Sequence, residues 1–364
     1  MAIDAVVRGN VEEGGLTQAS GELDAFIGPA LWQRVIRHRV ALIAAFDIVF
    51  IAVVGGLRPG FVSGANIVAM CDSMALPAIV LVPATMLLAA GRFDLSPDGV
   101  SAASGVVVGE MLSHLGHGDL MTAFAVAAGL ATGLGFGLAN GILVERVGIN
   151  PLIATLGSWW VAAGIALGVE QGGNSFGLGA AFDSLGGTRA GGLLVEDWFA
   201  IPVLVIGGLL LAYRKSGAHI FATGGNREAA RRNGIRIGRI VIRLYVASGV
   251  ASALAGIVFA SRLDSATTNP FNGLALQVIA SAVIGGASLM GGKGTIAGAF
   301  LGLLLLQMIT SATVFLAISP YWEQTITGAI LLIAVYGDIQ AAREGKGPSW
   351  LRAMVARAPK GSDR

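Results

Sequence analysis

The chain has 364 residues, 54% of them hydrophobic and 13% charged, with a mean hydropathy of +0.74 and a net charge of +2. A soluble domain carries roughly 25% charged residues to cover its surface, so this composition excludes a soluble protein. The near-neutral balance argues against a nucleic-acid partner, and the single cysteine, Cys71, excludes an intrachain disulfide.

In chain order, residues 1–33 are polar and mixed, with Glu12, Glu13, Glu22 and Asp24. They lack the basic start and apolar centre of a cleavable signal and read as a mobile cytoplasmic tail. A helix needs about 20 apolar residues to cross a bilayer. Such segments lie at 40–57, 74–91, 97–115, 120–144, 150–169, 198–213, 241–261, 273–290, 295–317 and 324–338. The segments 74–91 and 273–290 read either as crossings or as broken, re-entrant pieces. The expectation is an all-α integral membrane protein with about ten transmembrane helices (8–10), occupying 34–340, and both termini cytoplasmic. Residues 341–364 form a second cytoplasmic tail.

Basic residues orient these spans. Arg34, Arg37 and Arg39 precede the first, Arg146 follows the fourth, and Arg214 to Arg243 separate the sixth from the seventh. Lys293 follows the eighth; Arg343, Lys346, Arg352 and Arg357 follow the last. All fall on one side if every segment crosses. Arg262 is the exception, with Asp264 as the expected offset. The loop 170–197 falls outside and is acidic, with Glu170, Asp183, Glu196 and Asp197 against Arg189.

Between the sixth and seventh spans, in the cytoplasmic loop 214–240, lies a short charged helix, Asn226 to Asn233. Asn226 caps its amino end, Glu228 sits where the helix dipole favours an anion, and Gly234 supplies the left-handed residue that ends it. Amid apolar spans such a helix reads as a handle for a soluble partner. The expected docking residues are Gly224, Gly225, Asn226, Arg227, Glu228, Ala229, Ala230, Arg231 and Gly234, with Ala229 and Ala230 small enough for close approach in a groove.

Two glycine ladders recur every four residues: Gly129, Gly133, Gly137 and Gly141, then Gly294, Gly298 and Gly302. That spacing puts each set on one helix face, where a neighbouring backbone approaches closely. Gly292-Lys293-Gly294-Thr295 is no phosphate loop. Ala287 and Gly294 stand where that motif needs glycine and a hydroxyl. ATP and magnesium are therefore expected on a partner, with no cofactor or metal in this chain. His38, His114, His117 and His219 are scattered, and no catalytic constellation appears.

Ionisable groups within apolar segments are costly unless paired or facing a cavity. Asp47 and Glu110 are two unconnected acids; a proton-coupled carrier would use them, or Asp94. Asp94 and Ser96 read as a cap for the helix that follows, with Arg92 as the nearby offset. Trp159-Trp160 admits two readings, stacking on a sugar face or anchoring at the interface. Candidates for a translocation path are Asp94, Ser96, Asn140, Thr155, Ser158 and Trp159.

Three blocks carry a resemblance. Gly91-Arg92-Phe93-Asp94-Leu95-Ser96 is the first. Asn140-Gly141, continuing through Ile149-Asn150-Pro151-Leu152-Ile153-Ala154-Thr155-Leu156-Gly157, is the second. The third runs from Ala222-Thr223-Gly224-Gly225-Asn226-Arg227-Glu228-Ala229-Ala230 to Gly234-Ile235 and resumes at Ile284-Gly285-Gly286-Ala287-Ser288-Leu289-Met290-Gly291-Gly292-Lys293-Gly294. In order and spacing, over about residues 35–340, they resemble the permease subunits of bacterial ABC sugar importers of the ribose, xylose, arabinose and galactose type, within the branched-chain amino-acid/ribose permease superfamily. The chain departs from that pattern at Arg232-Asn233 and at Pro97-Asp98.

The resemblance implies a permease of the bacterial inner membrane that moves a small polar solute, a monosaccharide or sugar alcohol. It implies an ABC ATPase into whose groove the 226–233 helix inserts, a second permease copy or a paralogous permease, surrounding lipid, and a periplasmic or lipid-anchored solute-binding protein. Nucleosides or branched-chain amino acids are alternative solutes within that class. A stand-alone proton-coupled carrier and a passive channel are the alternatives from other classes.

Overall fold

The structure is a computed structural model; it describes residues 29–171 and 173–319, with side chains from residue 40, and single positions between 322 and 336. The expected tails up to residue 28 and over 341–364, and most of the span 324–338, lie outside these residues. The first helix, α1 (Pro29–Leu57), begins inside the stretch expected as tail. A 3-10 turn (Pro59–Val62) leads to α2 (Gly64–Ala89), whose first turn is capped by Ser63 accepting from the Asn66 amide. This helix starts well before the expected residue 74. It stays continuous through Pro77 and Pro83, so it is not a broken segment. Proline is tolerated in such helices because neighbouring helices re-satisfy the freed carbonyls.

An extended stretch then leads to α3 (Pro97–Leu115), with proline at the first helical position where its missing N–H costs nothing. Next come α4 (Asp119–Ile142), closed by a π turn (Leu143–Val147), and α5 (Pro151–Val169), capped by Asn150. The loop beyond carries β1 (Ser175–Phe176), α6 (Ala180–Asp183), β2 (Arg189–Ala190) and β3 (Leu193–Leu194). After it run α7 (Val195–Tyr213), α8 (Lys215–Gly225), α9 (Arg227–Arg232) and α10 (Ile237–Arg262). The described helices end with α11 (Leu274–Ile284) and α12 (Ile296–Phe315), and β4 (Ser265–Ala266) precedes them. Strand β1 pairs antiparallel with β4, and β2 with β3.

Seven described helices are long and apolar enough to cross a membrane, against the ten expected. Helix α3 misses because Asp98, Ser101, Ser104, Glu110 and Ser113 dilute its apolar character, and α11 is too short. Over 273–290 the helix covers only Leu274–Ile284, so this segment is not one continuous transmembrane helix. Helix α2 lies at the centre, with 72% of its apolar window buried against 11% for α1.

The glycine spacing explains the tightest contacts. Along α4, a methyl group on Gly129 would meet Val108 and Ile257, and on Gly133 would meet Gly249 and Ala253. On Gly137 it would meet Tyr245 and Val246, and on Gly141 it would meet Ile242. Helices α4 and α10 thus run antiparallel with their backbones in contact. On α12, Gly298 faces Gly285 and Gly302 faces Ser281 of the short α11. Gly294, expected on the same helix face, instead lies in the loop before the Thr295 cap with φ +151° and faces Ala287.

Candidate functional site: the α8–α9 corner and the buried chain behind it

Helix α9 is built by its own local sequence. The Asn226 side chain accepts from the Ala229 amide at 2.9 Å, and Glu228 pairs with Arg232 one turn on at 3.2 Å. Gly234 has φ +75°, and beyond it the Ile235 amide reaches back to the Ala230 carbonyl at 3.1 Å. The 3.6-residue period then sorts the face. Gly225, Asn226, Glu228, Ala229, Arg231 and Gly234 are exposed, Gly224 and Arg227 are half-buried, and Ala230 is buried at 4% exposure in the chain's own core. Ala230 is therefore not a contact surface for a partner, a correction that follows from its place one turn after Arg227.

Beside α9 a cavity of about 430 Å³ is lined by Arg146, Arg227, Arg231, Arg236 and Arg239, with Glu145 as the only acid among the described residues on its wall. Five cations facing one carboxylate leave this wall strongly positive.

Behind α9, three glycine corners meet backbone to backbone. Gly224 lies against Ala89, Ala90 and Gly292, and Gly291 packs on Gly224 and Gly91. The Gly292 amide donates to the Ala89 carbonyl at 2.8 Å, tying the turn after α11 to the end of α2. Gly91, Gly291 and Gly292 have φ of +70°, +87° and +75°, which L side chains rarely adopt. The first block of the sequence and both halves of the third thus converge on one point.

The middle block joins them through a side chain. Glu145, in the π turn after α4, has 2% of its side chain exposed and bridges two arginines. Arg92 donates to it at 3.3 Å, and Arg227 of α9 is its other partner. The offset expected of Arg92 toward Asp94 is thus not what forms. Arg92 follows Gly91 out of the helix end and turns toward Glu145, its carboxylate partner. Sequence reasoning missed Glu145, whose signal was an acid beside Arg146 at the end of an apolar span.

Asp94 instead opens a buried polar chain. Its Oδ1 accepts from the Ser96 amide at 2.9 Å and from the Ser96 hydroxyl at 2.6 Å. The Asn140 side-chain amide donates to Ser96 Oγ at 3.0 Å, and the Ser158 hydroxyl donates to Asn140 Oδ1. Asp94, Ser96, Asn140 and Ser158 are 0–9% exposed. Ser248 Oγ faces Asp94, but among the described residues neither it nor Asp94 Oδ2 makes a hydrogen bond of good geometry. Ser96 stands at the N-cap of α3 without bonding the helix through its side chain, so the capping role expected of Asp94 and Ser96 does not form. Thr155 is buried but bonds back to the Pro151 carbonyl at 2.8 Å, outside the chain. Trp159 lies half-buried over Gly99, and Trp160 points outward at 68% exposure.

The other acids divide. Glu110 pairs with His114 at 2.9 Å, one turn on. Asp47 is buried with neither oxygen hydrogen-bonded among the described residues. Asp98, read only as a departure from pattern, caps α11: its carboxylate accepts from the Gly273, Leu274 and Ala275 amides, each at 2.8 Å. At the far end Arg262 pairs with Glu196 at 2.8 Å and Arg189 with Asp72 at 2.6 Å. Asp264, the expected offset for Arg262, accepts instead from the Leu178 amide at 2.7 Å. Burial raises the Glu170 carboxyl above its ordinary range, opposed by the hydrogen bond from Ser175.

A family model described as the permease component of branched-chain amino acid transport systems matches residues 74–335. The chain is 33% identical to the L-arabinose ABC transporter permease protein AraH of Azospirillum brasilense, over 86% of this chain and 92% of that protein. It is 36% identical to the L-arabinose transport system permease protein AraH of Escherichia coli strain K12, over 82% and 89%. Identity to the ribose import permease protein RbsC of the same strain is 30%, over 80% and 91%. No solved structure matches the chain. With seven apolar helices among the described residues and a match through every block that meets at the α8–α9 corner, this chain is a multi-pass membrane protein and belongs to the branched-chain amino acid transport system / permease component family.

Proposed function

We propose that the chain is the translocating subunit of an ATP-driven importer for a monosaccharide, energised by a separate ATPase. The observation that carries this reading is α9. It is a capped helix with an exposed outer face, seated on a rigid glycine corner beside a cavity lined by five arginines. A groove with acidic groups on the ATPase suits that face, with Glu228, Ala229 and Arg231 in contact. The sugar is favoured over an amino acid by the arabinose and ribose permeases to which the chain is similar.

In this reading the chain crosses the cytoplasmic membrane about ten times with both termini inside, beside a second permease. A solute-binding protein delivers the ligand from outside, and ATP with its magnesium is held by the ATPase. The hydroxyl-bearing path is the chain from Asp94 through Ser96 and Asn140 to Ser158, with Thr155 and Trp159 at its side. When the helices separate, sugar hydroxyls exchange for the hydrogen bonds these groups make to one another.

The test is uptake of a panel of labelled sugars and amino acids into proteoliposomes. The chain is assayed alone, then with its ATPase and binding protein, with and without ATP. Sugar uptake only in the complete, ATP-supplied system is the expected result. Uptake by the chain alone, driven by a proton gradient, would overturn it.

A further inference from the structure

We infer that Glu145 is the relay through which movement of α9 reaches the buried polar chain; this rests on the importer reading above. Three observations converge on it. Glu145 is the one carboxylate shared by Arg227 on the docking helix and Arg92 at the head of the Asp94 segment. Its side chain is 2% exposed, so the carboxylate shared by both pairs is shielded from water and screened less than a surface acid. It also sits at the junction between α4 and α5, the two helices that supply Asn140 and Ser158.

The connection is therefore continuous. Displacing α9 pulls Arg227, which pulls Glu145. Glu145 then acts on Arg92, two residues before Asp94, and on the end of α4 that carries Asn140. The glycine corner gives a second link between α9 and the same segment, but a non-directional one. Gly91, Gly224 and Gly291 transmit push and carry no group that resists separation. The carboxylate transmits pull. Arg227 Nη1 is buried without a partner among the described residues, so the site holds one more donor than this conformation uses. That spare donor gives Glu145 room to exchange its two arginines as α9 moves.

Glu145 thus acts as a positioning residue, and its removal leaves ATPase docking intact while breaking the link between ATP use and the path. The experiment uses the permease–ATPase–binding-protein complex in proteoliposomes. The permease carries Cys71→Ser, because Cys71 is exposed, and Ser248→Cys as a reporter facing Asp94. The reaction rate of a maleimide at position 248 is measured with and without ATP. ATP should raise the rate roughly tenfold in the parent and leave it flat in Glu145→Gln, with ATPase co-purification unchanged.

Arg227→Gln and Arg92→Gln, each of which leaves Glu145 one cation, should give the same flat response. The double variants with Glu145→Gln should lose no more, as members of one linkage do. An ATP response in Glu145→Gln equal to the parent's would overturn the relay, as would additive losses. Absence of any ATP response in the parent would instead sink the importer reading on which the relay rests. If Glu145→Gln does not fold, the two arginine variants decide.

Discussion

The α9 end of the helix bundle and the end where the loop 170–194 folds back are fastened by different chemistry. At the α9 end backbone lies on backbone at Gly91, Gly224 and Gly291, and one buried carboxylate joins two arginines. At the opposite end the fastenings are pairwise: Arg262 to Glu196, Arg189 to Asp72, Asp264 to the Leu178 amide, and two-residue strand pairs. Glycine contacts have no side chain to rotate, so a push from α9 meets a rigid body at the first end, while a pull passes through Glu145. Pairwise contacts break and reform one at a time, which suits an end that opens. A lever thus belongs where the contacts are rigid, and a gate where they are divisible.

Substitutions sharpen or break this contrast. The largest effect is expected from Gly137→Leu, which drives a branched chain into Tyr245 and Val246 of α10. Overpacking against backbone costs about 3 kcal/mol or more here, read as loss of monodisperse protein in detergent. Normal yield would mean the α4–α10 contact is loose and the rigid-body picture wrong.

Arg262→Gln comes next, since it leaves Glu196, whose side chain is fully buried, without its cation. Removing one partner of a buried pair costs roughly 3–5 kcal/mol. The midpoint of thermal unfolding in detergent should fall while ATPase co-purification persists. Loss of co-purification in that variant would couple the two ends more tightly than proposed.

Asp98→Ala removes the acceptor for three amides of α11 and should cost about 2–3 kcal/mol, again as a lowered unfolding midpoint. Asp98→Asn, which keeps one oxygen, should recover part of it. An unchanged midpoint would show that water replaces the carboxylate there.

The smallest effect on stability belongs to Ala229→Trp. An exposed change away from buried contacts stays within about 0.5 kcal/mol, yet it should abolish co-purification with the ATPase. Retained binding would refute α9 as the docking element.

What the sequence determined about this protein is local in origin. Membrane class follows from composition, α9 from a cap, an acid and a closing glycine within nine residues, Asn226 to Gly234, and the face of the α4 ladder from a spacing of four. Each of these depends on residues close together in the chain, where helix geometry alone decides which groups meet. Tertiary structure decided the charge partners. Proximity in sequence pairs Arg92 with Asp94 and Arg262 with Asp264, but the two arginines bind carboxylates 53 and 66 residues away. Asp98 reaches amides up to 177 residues on. Buried charge is stabilised by whichever opposite group the packing brings within hydrogen-bond distance, and packing is a property of the whole bundle. Glu145 was invisible for the same reason, because its role exists only once α4, α9 and the Arg92 segment share one corner.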